Sequence, residues 1–323
     1  MVDKPQKPTR YGFLLLGNYS MIAYSSAIEV LRMANRLQRE TIYEWPTYTI
    51  DGEPVSASNG ITLIPDGAIK QMSNLDVLFV VAGVRVNQQW HDSLKPLLTR
   101  IARANVALGG ICTGTQILAR AGLLDGYRCT IHWENMAGLR ETSPKVKVTD
   151  ELYELDRDRY TVSGGTAALD MMFELVRKKH GKALAVSISE QFMCDRMRGE
   201  YDRQRVPLRL LIGADQPKLI EAVELMESNL EELINLDELS RLVGVSRRQL
   251  ERLFKKYLSC VPSRYYLDLR LKKARQLLLQ TSISISDVAI ACGFVSASHF
   301  SKSYRDMFGL TPREERQKQR FQL

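Results

Sequence analysis

Hydrophobic and polar positions follow two different rhythms along this chain. Over the first two hundred residues, short apolar runs alternate with helical stripes. Tyr11–Leu16, Leu75–Ala82 and Val106–Ile111 are nearly unbroken apolar runs, the pattern of strands buried on both faces. Trp45–Ile50, Ile61–Ile64 and Tyr160–Ser163 also read as strands, bounded by turn residues. Between them, apolar residues recur at helical spacing in Ser25–Gln38, Leu94–Ala104, Thr113–Ala121, Thr166–Lys179 and Ala183–Met197. Such alternation predicts an α/β domain, a parallel sheet flanked by helices, over residues 11–197. A flexible N-terminus is expected over residues 1–10. Residues 198–216 mix charges with Pro207 and Gly213 and read as a linker.

From Lys218 onward the rhythm changes. Every segment reads as helix, so residues 217–323 are expected to form an all-α domain. Leu236, Leu239 and Val243 make one side of a short helix, and Gly244 with Val245 a tight turn. Ser246 is then a cap for a second helix, whose stripe is Leu250, Leu253, Phe254, Tyr257 and Leu258. Arg247, Arg248, Glu251, Arg252 and Lys255 are left on its outer face. This is a helix-turn-helix whose second helix reads DNA. The arrangement recurs about fifty residues on. Ile285, Val288 and Ala289 line a short helix, Cys292-Gly293-Phe294 turns, and Ser296 or Ser298 caps a helix with Phe300, Tyr304, Met307 and Phe308 inward. Its outward residues are His299, Lys302 and Arg305. Between the units, Ser263–Gln280 contains no helix breaker, and fully helical it spans ~27 Å. That suits two reading helices set about one DNA turn, ~34 Å, apart.

Charge sharpens this picture. Residues 241–323 hold 17 Lys and Arg against 6 Asp and Glu, whereas the other 240 residues hold 28 against 31. The net charge of +8 therefore arises in the last quarter, as a phosphate-binding surface requires. Apolar content of 45% with no long apolar run excludes a membrane span, and the polar N-terminus is not a signal peptide. The expected location is cytoplasmic. Five scattered cysteines without a CxxC pair argue for reduced thiols and against a zinc site, and neither metal nor cofactor is expected.

Residues 218–316 resemble the AraC family of bacterial regulators. The match runs through Arg270-Leu271, Ala274 and Leu277-Leu278, then Ser284-Ile285, Val288-Ala289 and Cys292-Gly293-Phe294. It continues through Ser298-His299-Phe300-Ser301-Lys302 and Tyr304, and closes with Phe308-Gly309 and Thr311-Pro312. Position on the helices then suggests roles. Arg248 and Arg252 would reach base edges, Glu251 would accept from cytosine, and Ser298, His299 and Lys302 would read the second sub-site. Ser246 and Arg247 lie at the same helix end, and Ser296 there caps or binds a phosphate. Arg264, Arg270, Lys272, Lys273 and Arg275 add charge to the central helix, and Arg275 reads as a sequence-independent DNA contact.

In the first half, strand Val106–Ile111 runs straight into Cys112-Thr113-Gly114 and a helix, the geometry of a nucleophile elbow. The helix end favours a thiolate or a bound anion. Ser163-Gly164-Gly165-Thr166 is a similar turn. Residues 11–195 resemble the PfpI-like branch of the glutamine-amidotransferase-like superfamily. The resemblance rests on Gly110–Gly114, Ala121–Gly126, Thr130-x-His132-Trp133 and Ser163–Thr166. It implies a catalytic cysteine at Cys112. Yet the histidine that several of those enzymes carry next is here Thr113, and Gly17–Ile22 supplies no acid after the first strand. No catalytic residue is therefore assigned. The alternative is a cysteine hydrolase or amidase fused to a DNA-binding domain.

The two-domain order resembles the GlxA-type regulators, which govern use of arginine, carnitine and glycine betaine. Arg128–Glu134, Asp156–Tyr160, Ser163–Asp170 and Ser246–Lys256 look similar to glycine-betaine-responsive members. The resemblance implies a regulator, of the activator type, of a catabolic operon. Its partners would be double-stranded promoter DNA, RNA polymerase, a second copy in a homodimer, and a small effector, with no membrane. A quaternary ammonium head prefers aromatic faces, which Tyr19, Tyr24 and Trp133 offer. Cys112, Thr113, His132, Ser163, Gly164 and Thr166 complete the candidate effector site.

Overall fold

The computed structural model describes residues 7–199, 202, 204 and 216–321. The chain divides into two compact units, Met1–Gln204 and Arg205–Leu323. Among the described residues no helix is long and apolar enough to cross a membrane.

The first unit is built on an eight-stranded sheet of β1 (Thr9–Leu15), β2 (Tyr43–Glu44), β3 (Thr47–Thr49), β4 (Gly67–Ala68), β5 (Val77–Val81), β6 (Ala107–Ile111), β7 (Tyr153–Asp156) and β8 (Arg159–Val162). The order is β7-β8-β6-β5-β1-β3-β4, with β2 also pairing β1. Every pairing is parallel except β7 with β8. Strand residues alternate between two apolar layers, as the period-two pleat requires. Tyr11, Phe13 and Leu15 of β1, with Val77, Phe79 and Val81 of β5, join one core with helices α1 (Met21–Gln38), α5 (Ala167–His180) and α6 (Lys182–Gln191). Leu14, Leu78 and Val80 face the other, under α2 (Leu94–Arg103), α3 (Gly114–Arg120) and α4 (Met136–Thr142).

Three expectations need correction. Thr9 and Arg10 belong to β1, not to a flexible terminus: Thr9 donates to the Ile42 carbonyl, and the Arg10 amide donates to Asp76. Helix α6 stops at Gln191, short of Met197, because Met193 takes a left-handed conformation at φ +53°. Arg198 and Gln204, expected in a linker, are bonded into the first unit. The Arg198 amide and guanidinium donate to Asp170, and the Gln204 carboxamide donates to Thr130 and to the Ile131 and Glu151 carbonyls. Residues 200, 201, 203 and 205–215 of the expected linker lie outside the described residues.

The second unit is helical: α7 (Pro217–Ser228), α8 (Leu236–Leu242), α9 (Arg247–Leu258), α10 (Pro262–Gln280), α11 (Ile285–Ala291), α12 (Ala297–Phe308) and α13 (Pro312–Phe321). Leu219, Ala222, Val223, Met226, Leu239, Val243, Leu250, Phe254 and Tyr266 close one core. The C-terminal half of α10 buries Leu271, Ala274, Leu277 and Leu278, and α11 and α12 bury Val288, Ala289, Phe300 and Tyr304. At 19 residues α10 is ~28 Å long.

Candidate nucleic-acid interface and effector cleft

Both reading helices begin where a serine ends the preceding turn. The Ser246 hydroxyl accepts the Gln249 amide at 3.2 Å, and the Ser296 hydroxyl accepts the His299 amide at 3.3 Å. Each bond satisfies a backbone donor that a helix start leaves without a partner. Ser296 is thus the second cap, and it shares a 2.8 Å hydrogen bond with Ser298. Leu250 and Phe254 anchor α9 inward, while Arg248, Arg252 and Lys255 are exposed. Arg247 donates to Asp237 at 3.3 Å and to Glu251 at 3.2 Å, so these two candidates are held in a surface ion pair. Such pairs are worth little, and exchange for a phosphate costs little. On α12, Ser298, His299, Lys302 and Arg305 are exposed, with Phe300 and Tyr304 beneath. The His299 ring lies 5.7 Å from that of Phe294.

The cations of α10 divide by role. Arg270 is buried. Its Nε donates to the Cys292 carbonyl at 2.7 Å and its Nη2 to the Gly293 carbonyl at 2.8 Å, with the guanidinium 3.8 Å from the Phe294 ring centre. Lys273 donates to the Ala291 carbonyl at 2.9 Å. Together they satisfy carbonyls that the end of α11 leaves open. Arg275, read from sequence as a DNA contact, instead donates to Glu315 at 3.2 Å and lies 4.7 Å from the Phe308 ring centre. The Tyr304 hydroxyl donates to the other oxygen of that buried carboxylate. Arg264 pairs with Asp268 on the same helix.

In the first unit, Cys112 sits at the end of β6 with φ +57°, and α3 begins two residues on. The elbow is present, but its thiol is sealed. Cys112 is 7% exposed, and burial pushes its pKa up to about 11, against a smaller opposing hydrogen bond from the Thr113 amide. The helix end, which by itself would favour a thiolate or a bound anion, does not lower this thiol, because burial outweighs it. The Cys112 amide donates to the Val162 carbonyl and the Ser163 amide to the Leu152 carbonyl, so neither is directed at an anion. Thr113 is buried, its hydroxyl donating to the Gly83 carbonyl at 2.6 Å. Gly164 closes the other side: a Cβ there would lie 3.0 Å from the Cys112 sulfur, and its φ is +107°.

The aromatic candidates separate. Tyr19 and Tyr24 are core residues, their rings 5.8 Å apart and edge to face. The Tyr24 hydroxyl shares a 2.7 Å hydrogen bond with Thr47. They form no wall of an open cleft. Trp133 is 37% exposed and tilts against His132 at 5.7 Å. Burial lowers the His132 pKa, Glu134 opposes that shift from 3.8 Å, and Glu134 is also among the charges acting on Cys112. Glu134 is thus within electrostatic reach of the elbow cysteine. Thr166 is exposed, and its hydroxyl accepts from Arg198 at 2.8 Å. Asp170, which sequence reasoning missed, lies one turn further along α5 and holds Arg198. The one signal for it was a carboxylate set among the apolar positions of that helix.

Residues 19–178 match the DJ-1/PfpI family, and residues 239–318 match a helix-turn-helix domain. The chain is 52% identical to the HTH-type transcriptional regulator GbdR of Pseudomonas aeruginosa over 314 residues, 97% of this chain and 86% of that protein. It is 33% identical to the HTH-type transcriptional regulator GlxA of Rhizobium meliloti, covering 94% of each. Among solved structures, an AraC family transcriptional regulator from Pseudomonas putida aligns with TM-score 0.54 at 34% identity, covering 57% of this chain and all of that one. The chain belongs to the GlxA-type group of AraC-family transcription regulators, which join a DJ-1/PfpI domain to a DNA-binding helix-turn-helix domain.

Proposed function

We propose that the protein activates a catabolic operon when its DJ-1/PfpI domain binds a small metabolite, with a quaternary ammonium compound such as glycine betaine as the first choice. Dimethylglycine, carnitine and arginine are the other members of the set. Trp133 carries this reading. Its indole is partly exposed and packs against His132, whose ring nitrogen lies 3.8 Å from the Glu134 carboxylate, and a trimethylammonium head is attracted by an aromatic face and by a carboxylate. His132, Ser163, Gly164 and Thr166 remain candidates for the rest of the site. The reading also draws on the similarity to GbdR along nearly the whole chain. The protein acts in the cytoplasm as a homodimer on promoter DNA, where it engages RNA polymerase.

Catalysis by Cys112 is the weaker reading, because a thiol titrating near 11 is almost wholly protonated at neutral pH. Titration calorimetry of the full-length protein against the four compounds tests the effector. Binding of betaine is expected, with affinity reduced about tenfold or more in Trp133→Ala, since a desolvated cation–aromatic contact is worth about 2 kcal/mol. No heat from any of the four removes the effector and leaves DNA binding untouched. Cys112→Ser should keep the transcriptional response, and its loss together with detectable substrate turnover would restore the enzyme reading.

A further inference from the structure

The two helix-turn-helix units differ by one residue, and that residue has no structural task. In the first unit the order is Gly244, Val245 and then the cap Ser246. In the second it is Gly293, Phe294, Val295 and then the cap Ser296. The residue before a helix cap commonly packs onto the fourth helical residue and sets the entry angle of the chain. Val245 does so in the first unit, joining the core that contains Leu250. In the second unit Phe294 takes that role from one position earlier, its ring 5.0 Å from that of Phe300 and covered by Arg270. Val295 is pushed outward. At 105% relative exposure it is the most exposed large apolar side chain among the described residues.

Isolated apolar residues on a surface are ordinary. Val295 differs in its place, at the N-terminal end of a reading helix and beside the exposed Ala297, Ser298 and His299. That end of a helix is the part that enters the major groove. A valine there can neither donate to a base edge nor bind a phosphate. The groove offers one apolar group, the 5-methyl of thymine.

We propose that Val295 is a specificity-determining residue of the second reading unit, packing one of its γ-methyl groups on the 5-methyl group of a thymine in the operator. The first unit carries no counterpart, since its turn lacks the added residue. The two sub-sites are thus read by different chemistry, the first by arginine and the second by an apolar contact together with Ser298, His299 and Lys302.

The test uses the full-length protein and a duplex it selects from a random pool. Val295→Ala removes both γ-methyl groups, of which one meets the thymine, and should weaken binding about fourfold, the worth of one buried methyl group. Val295→Thr, which retains a methyl, should bind as the parent does. Uracil in place of a single thymine should weaken the parent by the same factor and leave Val295→Ala unaffected, because the two changes remove one shared contact. Thermal midpoints should not move, as the side chain is wholly exposed. The proposal is overturned if Val295→Ala binds normally, if it weakens every sequence alike with no response to uracil, or if it lowers the thermal midpoint.

Discussion

Arg248 and Arg275 carry the same side chain in opposite circumstances. Arg248 is exposed on the outer face of α9, whereas Arg275 holds the buried Glu315 carboxylate that also accepts from Tyr304. Arg248→Ala should leave the thermal midpoint in place and cost about 1–3 kcal/mol at one base position, read by gel-shift titration over single-base variants of the operator. Equal affinity for every variant would mean that α9 is turned otherwise. Arg275→Ala should lower stability by about 1–3 kcal/mol in urea denaturation, because Glu315 is left buried without its cation. The salt dependence of DNA binding should stay as in the parent. The sequence shows both arginines in a basic region but says nothing of Glu315, forty positions away. Tyr19 and Tyr24 were illegible for a related reason: a tyrosine suits a wet cleft or a core with a hydroxyl partner, and Thr47 supplies that partner to Tyr24.

Elements set by neighbouring residues were the readable ones. Ser246 and Ser296 end their turns through bonds three residues long, so the starts of α9 and α12 can be placed from sequence. Strand β7 was missed because Glu154 and Asp156 are poor strand formers, and it persists by pairing with β8 and by the ion pair of Glu154 with Arg128. The two turn glycines share φ +71° but not their surroundings. A Cβ at Gly244 meets only the end of Lys218 at 3.9 Å, whereas at Gly293 it would lie 2.8 Å from the carbonyls of both Leu230 and Glu231. Gly244→Ala should therefore cost about 1–2 kcal/mol, the strain of a left-handed residue alone. Gly293→Ala should cost clearly more, with both measured by urea denaturation. Equal losses would show that the second turn is not packed on residues 230–231.

The whole molecule joins two separate cores with segregated charge, and the two rhythms of the sequence made that division readable. The cleft was less so, because whether an elbow cysteine is open or sealed depends on Gly164 and the chain packed over it. Two cores predict two transitions in a calorimetric scan. If glycine betaine is the proposed effector, it should at ~100 times its dissociation constant stabilise only the first unit, by about 2.7 kcal/mol. Movement of both transitions together would show that the units melt as one.

The grip of Arg270 and Lys273 on the carbonyls that end α11 has a consequence for the operator itself. If both units read DNA as proposed, α10, which holds the second turn, should set how many untouched base pairs separate the two contacted segments. One extra pair there swings the far segment about 34–36° around the duplex axis, at 10–10.5 pairs per turn. Between the two contacted segments the length of the duplex should therefore matter more than its sequence, which binding to operators with one inserted pair would check.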